Sequence, residues 1–262
     1  MQSMPDLELI NAYAAHQRVR GFSPRTIDRR TWSLEHFHAA GSFATHTAPT
    51  VELFLSRWPS AQSRYSVRSD VRQFYRWAIR RGELSHNPTD DVDPPTLPKR
   101  SATPLSTVDL MEAIRLGNTA QRRAIMLGAY AGLRCGEIAA LQMADVHRDR
   151  GVIVVRNGKG GKDGIVPLAP DLALVLPVRG KAVSYPSGAQ VGEAIRRVFR
   201  RAGIDARPHD CRHTFGTEAA RRANGNMELV RQLMRHESIT TTQRYVAWIP
   251  AGGDVVGDLY AA

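Results

Sequence analysis

The sequence predicts a mainly α-helical protein with a small β-sheet, organised as two domains. Three features of the 262-residue chain lead to this prediction. Apolar residues recur at helical spacing through most of the chain, one β-branched run near the middle is typical of strands, and a proline-rich segment separates two halves. The length allows each of two modest domains to bury its own core.

The first domain, residues 1–84, is predicted to be all helical. Ser23 before Pro24 is a typical helix start, because serine caps free N–H groups and proline fits the first helical position. The last helix has an apolar stripe at spacings of four and three residues, which should face the core. The predicted helices cover residues 6–20, 24–40, 48–57 and 60–82. The stripe consists of Val67, Val71, Phe74 and Ala78.

The segment after this domain is predicted to be a stiff linker, placed at residues 85–102. Residues 85–105 contain five prolines and show neither helical nor strand periodicity. Proline-rich segments of this kind are extended and semi-rigid. The chain is therefore divided between the helical domain and a second domain at residues 103–262.

The second domain is predicted to combine helices with a β-hairpin. Ser106 followed by Asp109 is a variant of the capping box and opens its first helix. Two β-branched strands flank a glycine-rich turn, residues 157–163, whose residue types suit a hairpin. The strands cover residues 151–156 and 164–168. Further helices are predicted near 119–131, 134–142, 187–203, 209–223 and 227–235, with a last short one through Tyr245.

The charge balance favours a polyanionic partner. Lys and Arg number 36 against 25 Asp and Glu, which gives a formal net charge of +11. Such an excess favours nucleic acid before membrane, although charge alone also fits an unspecialised basic surface. The apolar runs are too short to span a bilayer and the N-terminus lacks a signal peptide, so a cytoplasmic location is expected.

Five arginines on the last helix of the first domain are spaced by four residues. Successive members turn only slowly around the helix axis, so they form a ridge roughly 24 Å long. Like charges at this spacing repel one another. A ridge that follows a phosphate backbone is therefore favoured over an ordinary solvated face. The ridge consists of Arg64, Arg68, Arg72, Arg76 and Arg80.

Three segments of the second domain carry groups suited to a phosphodiester. Arg134 lies at a predicted helix start, His209 and Arg212 lie three residues apart on one helix face, and His236 precedes Tyr245 by nine residues. Each segment by itself has a structural explanation. Arg134 could form an ion pair with Glu137, the second segment could be surface polar groups, and the tyrosine could be half-buried.

Taken together, four segments closely resemble the tyrosine recombinases, or phage integrases. These segments are Gly132–Leu141, Gly158–Leu168, His209–Phe215 and Met234–Tyr245. The resemblance covers the second domain throughout and implies an α+β tyrosine recombinase catalytic domain. The first domain is similar to the family's helical, SAM-like core-binding domain. The six active-site positions of the family are filled by Arg134, Lys159, His209, Arg212, His236 and Tyr245.

The resemblance implies a role for each of these residues. Tyr245 would attack the DNA backbone, forming a 3′-phosphotyrosine and releasing a 5′ hydroxyl. Two guanidinium groups that cannot lose their charge, Arg134 and Arg212, suit the non-bridging oxygens. His209 would accept or orient the phenol proton, and His236 would donate a hydrogen bond to the phosphate.

A lysine at the hairpin tip would protonate the leaving oxygen. Lys159 is chosen because the family places its lysine first in this turn, and Lys162 is the alternative. Glu137 is interpreted as positioning an arginine or packing within the domain, and His213 as a structural group. With two arginines and a lysine at the phosphate, neither a metal ion nor another cofactor is expected.

The cysteines favour neither a metal site nor a thiol nucleophile. Two cysteines, Cys135 and Cys211, provide no disulfide framework, which fits a reducing compartment. Cys211 with His209 and His213 forms only a partial ligand set for zinc at an unfamiliar spacing. Both cysteines are interpreted as small packing residues.

The expected partner is double-stranded DNA with a core recombination site. The resemblance implies a homotetramer on DNA, with the apolar segment after Tyr245 docking either on its own domain or on a neighbouring protomer. An accessory DNA-bending or directionality factor is a further possible partner. Because the chain begins almost at once with the core-binding helices, no additional arm-site domain is expected.

Four other functions are weighed against integration or excision. A resolvase of chromosome or plasmid dimers and a transposon recombinase would carry the same residues. A catalytically silent DNA-binding repressor is disfavoured by the six filled positions. A topoisomerase with the same chemistry would relax supercoils without site preference.

Overall fold

Four helices build the first of the two compact units into which the chain divides, Met1–Lys99 and Arg100–Ala262. The structure is a computed structural model and describes residues 4–97, 103–156, 163–224, 226–236 and 238. Each predicted helix of this unit is present, with bounds within two residues of those expected. The helices are α1 (Asp6–Val19), α2 (Pro24–His38), α3 (Ala48–Ser56) and α4 (Ala61–Arg80).

Helix α4 is the central element of the first unit and packs against the other three helices. Its predicted apolar stripe is buried, and Phe74 and Ala78 have no exposed surface. Tyr75 lies in the same core, where its hydroxyl donates a hydrogen bond to the carbonyl of Phe43 at 2.9 Å. The serine caps are also present: Ser23 accepts the N–H of Thr26 at 3.3 Å.

A buried carboxylate connects α2 to α4. Asp70 on α4 is 2% exposed and forms ion pairs with Arg29 and Arg30 of α2. Burial raises the pKa of Asp70, and the two guanidinium groups oppose that rise. The single acid within the arginine series therefore links α2 to α4.

Part of the predicted linker packs on this first unit. Asn87, Thr89 and Val92 are buried, with exposures of 4%, 0% and 6%. The carbonyl oxygens of Thr89 and Val92 both accept hydrogen bonds from Arg68 on α4. Residues 87–92 thus follow the surface of the helical unit.

The second unit contains seven helices among its described residues, together with a three-stranded antiparallel sheet of order β1-β2-β3. The helices are α5 (Thr107–Leu116), α6 (Thr119–Ala131), α7 (Cys135–Ala140), α8 (Pro170–Val175), α9 (Gly188–Ala202), α10 (Pro208–Arg222) and α11 (Met227–Met234). A short 3-10 helix covers Met143–Asp145. The strands are β1 (Val146–His147), β2 (Val152–Val155) and β3 (Gly164–Pro167).

Helix α6 forms the centre of the second unit. It packs against α5, α7, α8, α9 and α10, and its side chains Ile125 and Leu127 have no exposed surface. The predicted hairpin is present, with β2 and β3 paired so that Ile153 lies opposite Val166. Both of these residues are fully buried, so the sheet covers the core with one face.

Strand β1, helix α8 and the short 3-10 helix were not predicted, and two predictions lie outside the described residues. Strand β1 has only two residues and helix α8 only six, too few to show a period. The tip of the hairpin and the short helix through Tyr245 lie outside the described residues. No helix within the described ranges is long and apolar enough to cross a membrane.

Candidate active site

Arg134 lies where α6 ends and α7 begins. Gly132 terminates α6 in the left-handed conformation, with φ of 63°, which glycine adopts without steric cost. Arg134 then caps α7, and its side-chain Nη1 donates to Glu137 Oε1 at 2.8 Å. The Arg134 backbone N–H donates to Glu137 Oε2, also at 2.8 Å. Glu137 therefore holds Arg134 in place, which is one of the two roles expected for it.

Arg212 joins three parts of the second unit that are distant in sequence. It lies on α10 and is 1% exposed. Its Nη1 donates to the carbonyl of Gly132 at the end of α6, and its Nη2 to the carbonyl of Met234 at the end of α11. One buried guanidinium thus holds the residues just before Arg134 and just before His236 beside α10.

The histidines lie around this arginine. His209 is exposed one turn before Arg212, and its ring meets the ring of His213 edge to face, with centroids 4.6 Å apart. His236 is buried and follows α11 directly. Its carbonyl accepts a hydrogen bond from Arg231 at 2.7 Å. His209 is therefore accessible for proton transfer, whereas His213 is enclosed.

Arg235 is a site residue to which the sequence reasoning gave no role. Its Nη2 donates to Glu137 Oε2 at 2.6 Å, so two arginines share one carboxylate. Burial raises the pKa of Glu137, but Arg235 and Arg134 together hold that pKa below its ordinary value. The available sequence signal was a cation at the end of a helix, where glycine is common.

The structure brings together four of the six predicted active-site residues: Arg134, His209, Arg212 and His236. The other two, Tyr245 and Lys159, lie outside the described residues, as do Lys162 and residues 246–262. The described residues by themselves form a cationic cluster suited to an anion. Charge in such a cluster acts more strongly where water is excluded.

The two thiols are poor nucleophiles. Cys211 has no exposed surface and packs against α6, where a Cβ on Gly128 would come within 2.8 Å of the Cys211 Cβ. Burial raises the pKa of the Cys211 thiol and also that of Cys135. Both thiols are therefore protonated near neutral pH, as expected for packing residues.

The α4 arginines do not form a uniform exposed ridge. Arg76 and Arg80 are exposed, whereas Arg64 donates to the carbonyl of Trp58 and Arg72 contacts Asp90 Oδ1 at 3.0 Å. Arg68 departs from the prediction. It is 7% exposed, and its guanidinium donates to two backbone carbonyls of residues 87–92. Arg68 therefore contributes to the fold of the helical unit.

The comparisons with known proteins identify the family to which this chain is similar. The family model described as "Phage integrase family" matches residues 103–249. Tyrosine recombinase XerC of Chromobacterium violaceum is 30% identical over 272 residues, covering 92% of this chain and 90% of the relative. Tyrosine recombinase XerA of Pyrococcus furiosus is 27% identical over 260 residues, covering 91% and 88%.

A solved structure shows the same fold. A lambda integrase fragment, described as a dimer bound to a COC′ core site, superposes with a TM-score of 0.75 at 16% identity. The match covers 91% of this chain and 97% of that one. The family match and the fold together define a DNA strand-transfer enzyme.

The chain belongs to the phage integrase family of tyrosine recombinases, which perform site-specific DNA recombination by breaking and rejoining strands. The resolvase, transposon and repressor alternatives are not favoured.

Proposed function

We propose that this chain integrates or excises DNA at a specific site by means of a 3′-phosphotyrosine at Tyr245. The observation that supports this proposal most is the buried contact of Arg212 with the carbonyls of Gly132 and Met234. That contact draws three separated sequence segments into one cationic site. A phosphodiester bound there gains negative charge during attack, which fixed cations stabilise.

Each proposed catalytic residue then has one role in strand cleavage. The phenol oxygen of Tyr245 bonds to phosphorus as the bond from phosphorus to the 5′ oxygen breaks. His209 accepts the phenol proton, and Lys159 protonates the departing 5′ oxygen. Because the bond energy is kept in the phosphotyrosine, a second 5′ hydroxyl reverses the reaction without ATP.

The cations of the site bind the two non-bridging oxygens of the phosphate. Arg134, held by Glu137, and Arg212, held by two carbonyls, donate to these oxygens from fixed positions. His236 adds a further hydrogen bond. Since the guanidinium groups keep their charge at all working pH values, phosphate binding does not depend on their titration.

The first unit is proposed to bind the core site of the DNA, and residues 103–262 to carry out the chemistry. Arg76 and Arg80 present exposed charge to phosphates, with Arg64 and Arg72 beside them on α4. Binding of this kind weakens steeply with salt. The reaction is placed in the cytoplasm, where such DNA lies.

Assembly on DNA is proposed to be a homotetramer. Solved relatives are described as a dimer on a core site and as a tetramer on a Holliday junction. We place the apolar residues after Tyr245 on a neighbouring protomer, and an accessory DNA-bending or directionality factor sets the reaction direction.

The decisive test of this function is covalent trapping. Nicked duplexes with a randomised core are incubated with the protein, and attached DNA is recovered and sequenced. Wild type is expected to trap a defined sequence, because the short nicked fragment diffuses away before religation. Tyr245→Phe is expected to trap none, since it lacks the attacking oxygen.

The control is Tyr185→Phe, which removes a hydroxyl elsewhere in the second unit and should trap DNA as wild type does. Adduct formed by Tyr245→Phe would refute the assignment of the nucleophile. Site binding without any wild-type adduct would identify a silent repressor. Relaxation of supercoiled plasmids of unrelated sequence would identify a topoisomerase.

Two arginines on α4, Arg68 and Arg76, should respond differently to substitution. Arg68→Ala leaves buried carbonyls without donors, so the free energy of unfolding should fall by about 3 kcal/mol. Arg76→Ala should leave stability unchanged and weaken duplex binding, with the salt dependence reduced by about one phosphate contact. Denaturant unfolding measures the change in stability, and a salt titration of half-site binding measures the change in DNA binding. Equal stability losses would contradict the burial difference.

A further inference from the structure

Arg235 is a buried cation beside the proposed phosphate site. Its side chain is 12% exposed, whereas that of Arg134 is 29% exposed. Glu137, at 7%, lies between them and contacts Arg134 at 2.8 Å and Arg235 at 2.6 Å. Two guanidinium groups share one carboxylate, so this cluster carries one net positive charge.

The backbone at Arg235 adopts a conformation that glycine would adopt at lower cost. Arg235 follows α11 with φ of 52° and ψ of 45°, in the left-handed region. L-residues rarely occupy this region, and helix ends of this kind usually carry glycine. An arginine in this position indicates that its side chain contributes something that outweighs the backbone cost.

The Arg235 guanidinium is also incompletely satisfied. Its Nε and Nη1 are buried and have no hydrogen-bond partner among the described residues. Burial lowers the pKa of Arg235, and Glu137 opposes that effect.

Arg235 also contacts the first residue of β3, the second strand of the hairpin. Its Cδ occupies the space that a Cβ on Gly164 would need. Gly164 begins β3, directly after the turn that carries the proposed leaving-group lysine. The same side chain therefore contacts the carboxylate that holds Arg134 and the base of the hairpin.

The charges of this cluster show what Arg235 adds. Without Arg235, Arg134 and Glu137 form an electrically neutral pair. With Arg235, the two guanidinium groups approach opposite oxygens of one carboxylate, so Glu137 is neutralised and one net positive charge remains for a phosphate.

We propose that Arg235 is a positioning residue for strand cleavage: it neutralises Glu137, so that Arg134 acts on the phosphate with its full charge, and it supports the β2–β3 hairpin through Gly164. This inference rests on the proposed function. It adds to that function a residue that acts through Glu137 and Arg134 without touching the DNA.

The test measures single-turnover adduct formation on the duplex recovered by trapping, together with half-site affinity. Arg235→Met should slow adduct formation by about 10- to 100-fold, less than the loss of a group that contacts the developing anion itself, with half-site affinity little changed. Arg235→Lys should recover much of the rate. The double variant Glu137→Gln/Arg235→Met restores one net positive charge and should react faster than Arg235→Met.

Two further variants keep the test decisive. Arg235→Gly removes the same charge and also the left-handed L-residue, so it should still react slowly although the backbone is relieved. Arg115→Met removes an exposed arginine from a comparable pair with Glu112 and should behave as wild type. A wild-type rate for Arg235→Met or Arg235→Gly would overturn the proposal, and so would a double variant slower than the single one. Absence of an adduct with wild type would refute the proposed function itself and not only the role of Arg235.

Discussion

Arg212→Lys is expected to abolish strand cleavage and to destabilise the second unit. The guanidinium of Arg212 spans the carbonyls of Gly132 and Met234, and a lysine ammonium, a compact point charge, cannot hold both and also offer a fork to phosphate. The rate of adduct formation should fall by about 10³-fold or more. The free energy of unfolding should fall by about 2–4 kcal/mol, because buried carbonyls lose their donors.

Single-turnover trapping and denaturant unfolding measure these two effects. The matched control is Arg123→Lys, because Arg123 also donates to a backbone carbonyl, that of Val175, at 2.6 Å. It lies on α6 and is not among the proposed site residues, so cleavage should persist. Full cleavage by Arg212→Lys would show that the site does not require a bridging guanidinium.

Gly132→Ala is expected to be the most destabilising small substitution near the site. Gly132 has φ of 63°, and a Cβ there would lie 2.5 Å from Cδ1 of Phe215. Left-handed backbone and overpacking together should cost about 2–5 kcal/mol of the free energy of unfolding. Since the Gly132 carbonyl holds Arg212, cleavage should fall as well.

Gly151→Ala separates the cost of the left-handed backbone from the cost of overpacking. Gly151 has the same φ of 63°, but a Cβ there meets nothing within 4 Å. It should therefore lose only the backbone contribution, about 1–2 kcal/mol. Thermal or denaturant unfolding of the two variants gives the difference directly. Equal losses would mean that the Phe215 ring moves aside at no cost.

Local sequence signals predicted the secondary structure well. Ser23 and Ser106 each cap a helix by accepting a hydrogen bond from a backbone N–H, and such caps depend only on neighbouring residues. The β-branched run from Val152 likewise produced a strand. Elements too short to show a period, such as α8, were not predicted.

The arginine series on α4 shows a property that the sequence did not predict, the burial of Arg68. Spacing by four residues placed Arg68 in line with Arg64 and Arg72, and this much is a property of any helix. Whether Arg68 faces solvent depends on residues 87–92, which return to cover it. No periodicity within α4 contains that information.

The sequence by itself determined the helices, the hairpin, the candidate reactive groups and the family, because all of these follow from residue type and near-neighbour spacing. Only the tertiary structure decided that Arg212 joins the ends of α6 and α11, and that Arg235 shares Glu137 with Arg134. These contacts link residues roughly 20 to 100 positions apart, and they form because buried donors and charges must find partners wherever the folded chain supplies them.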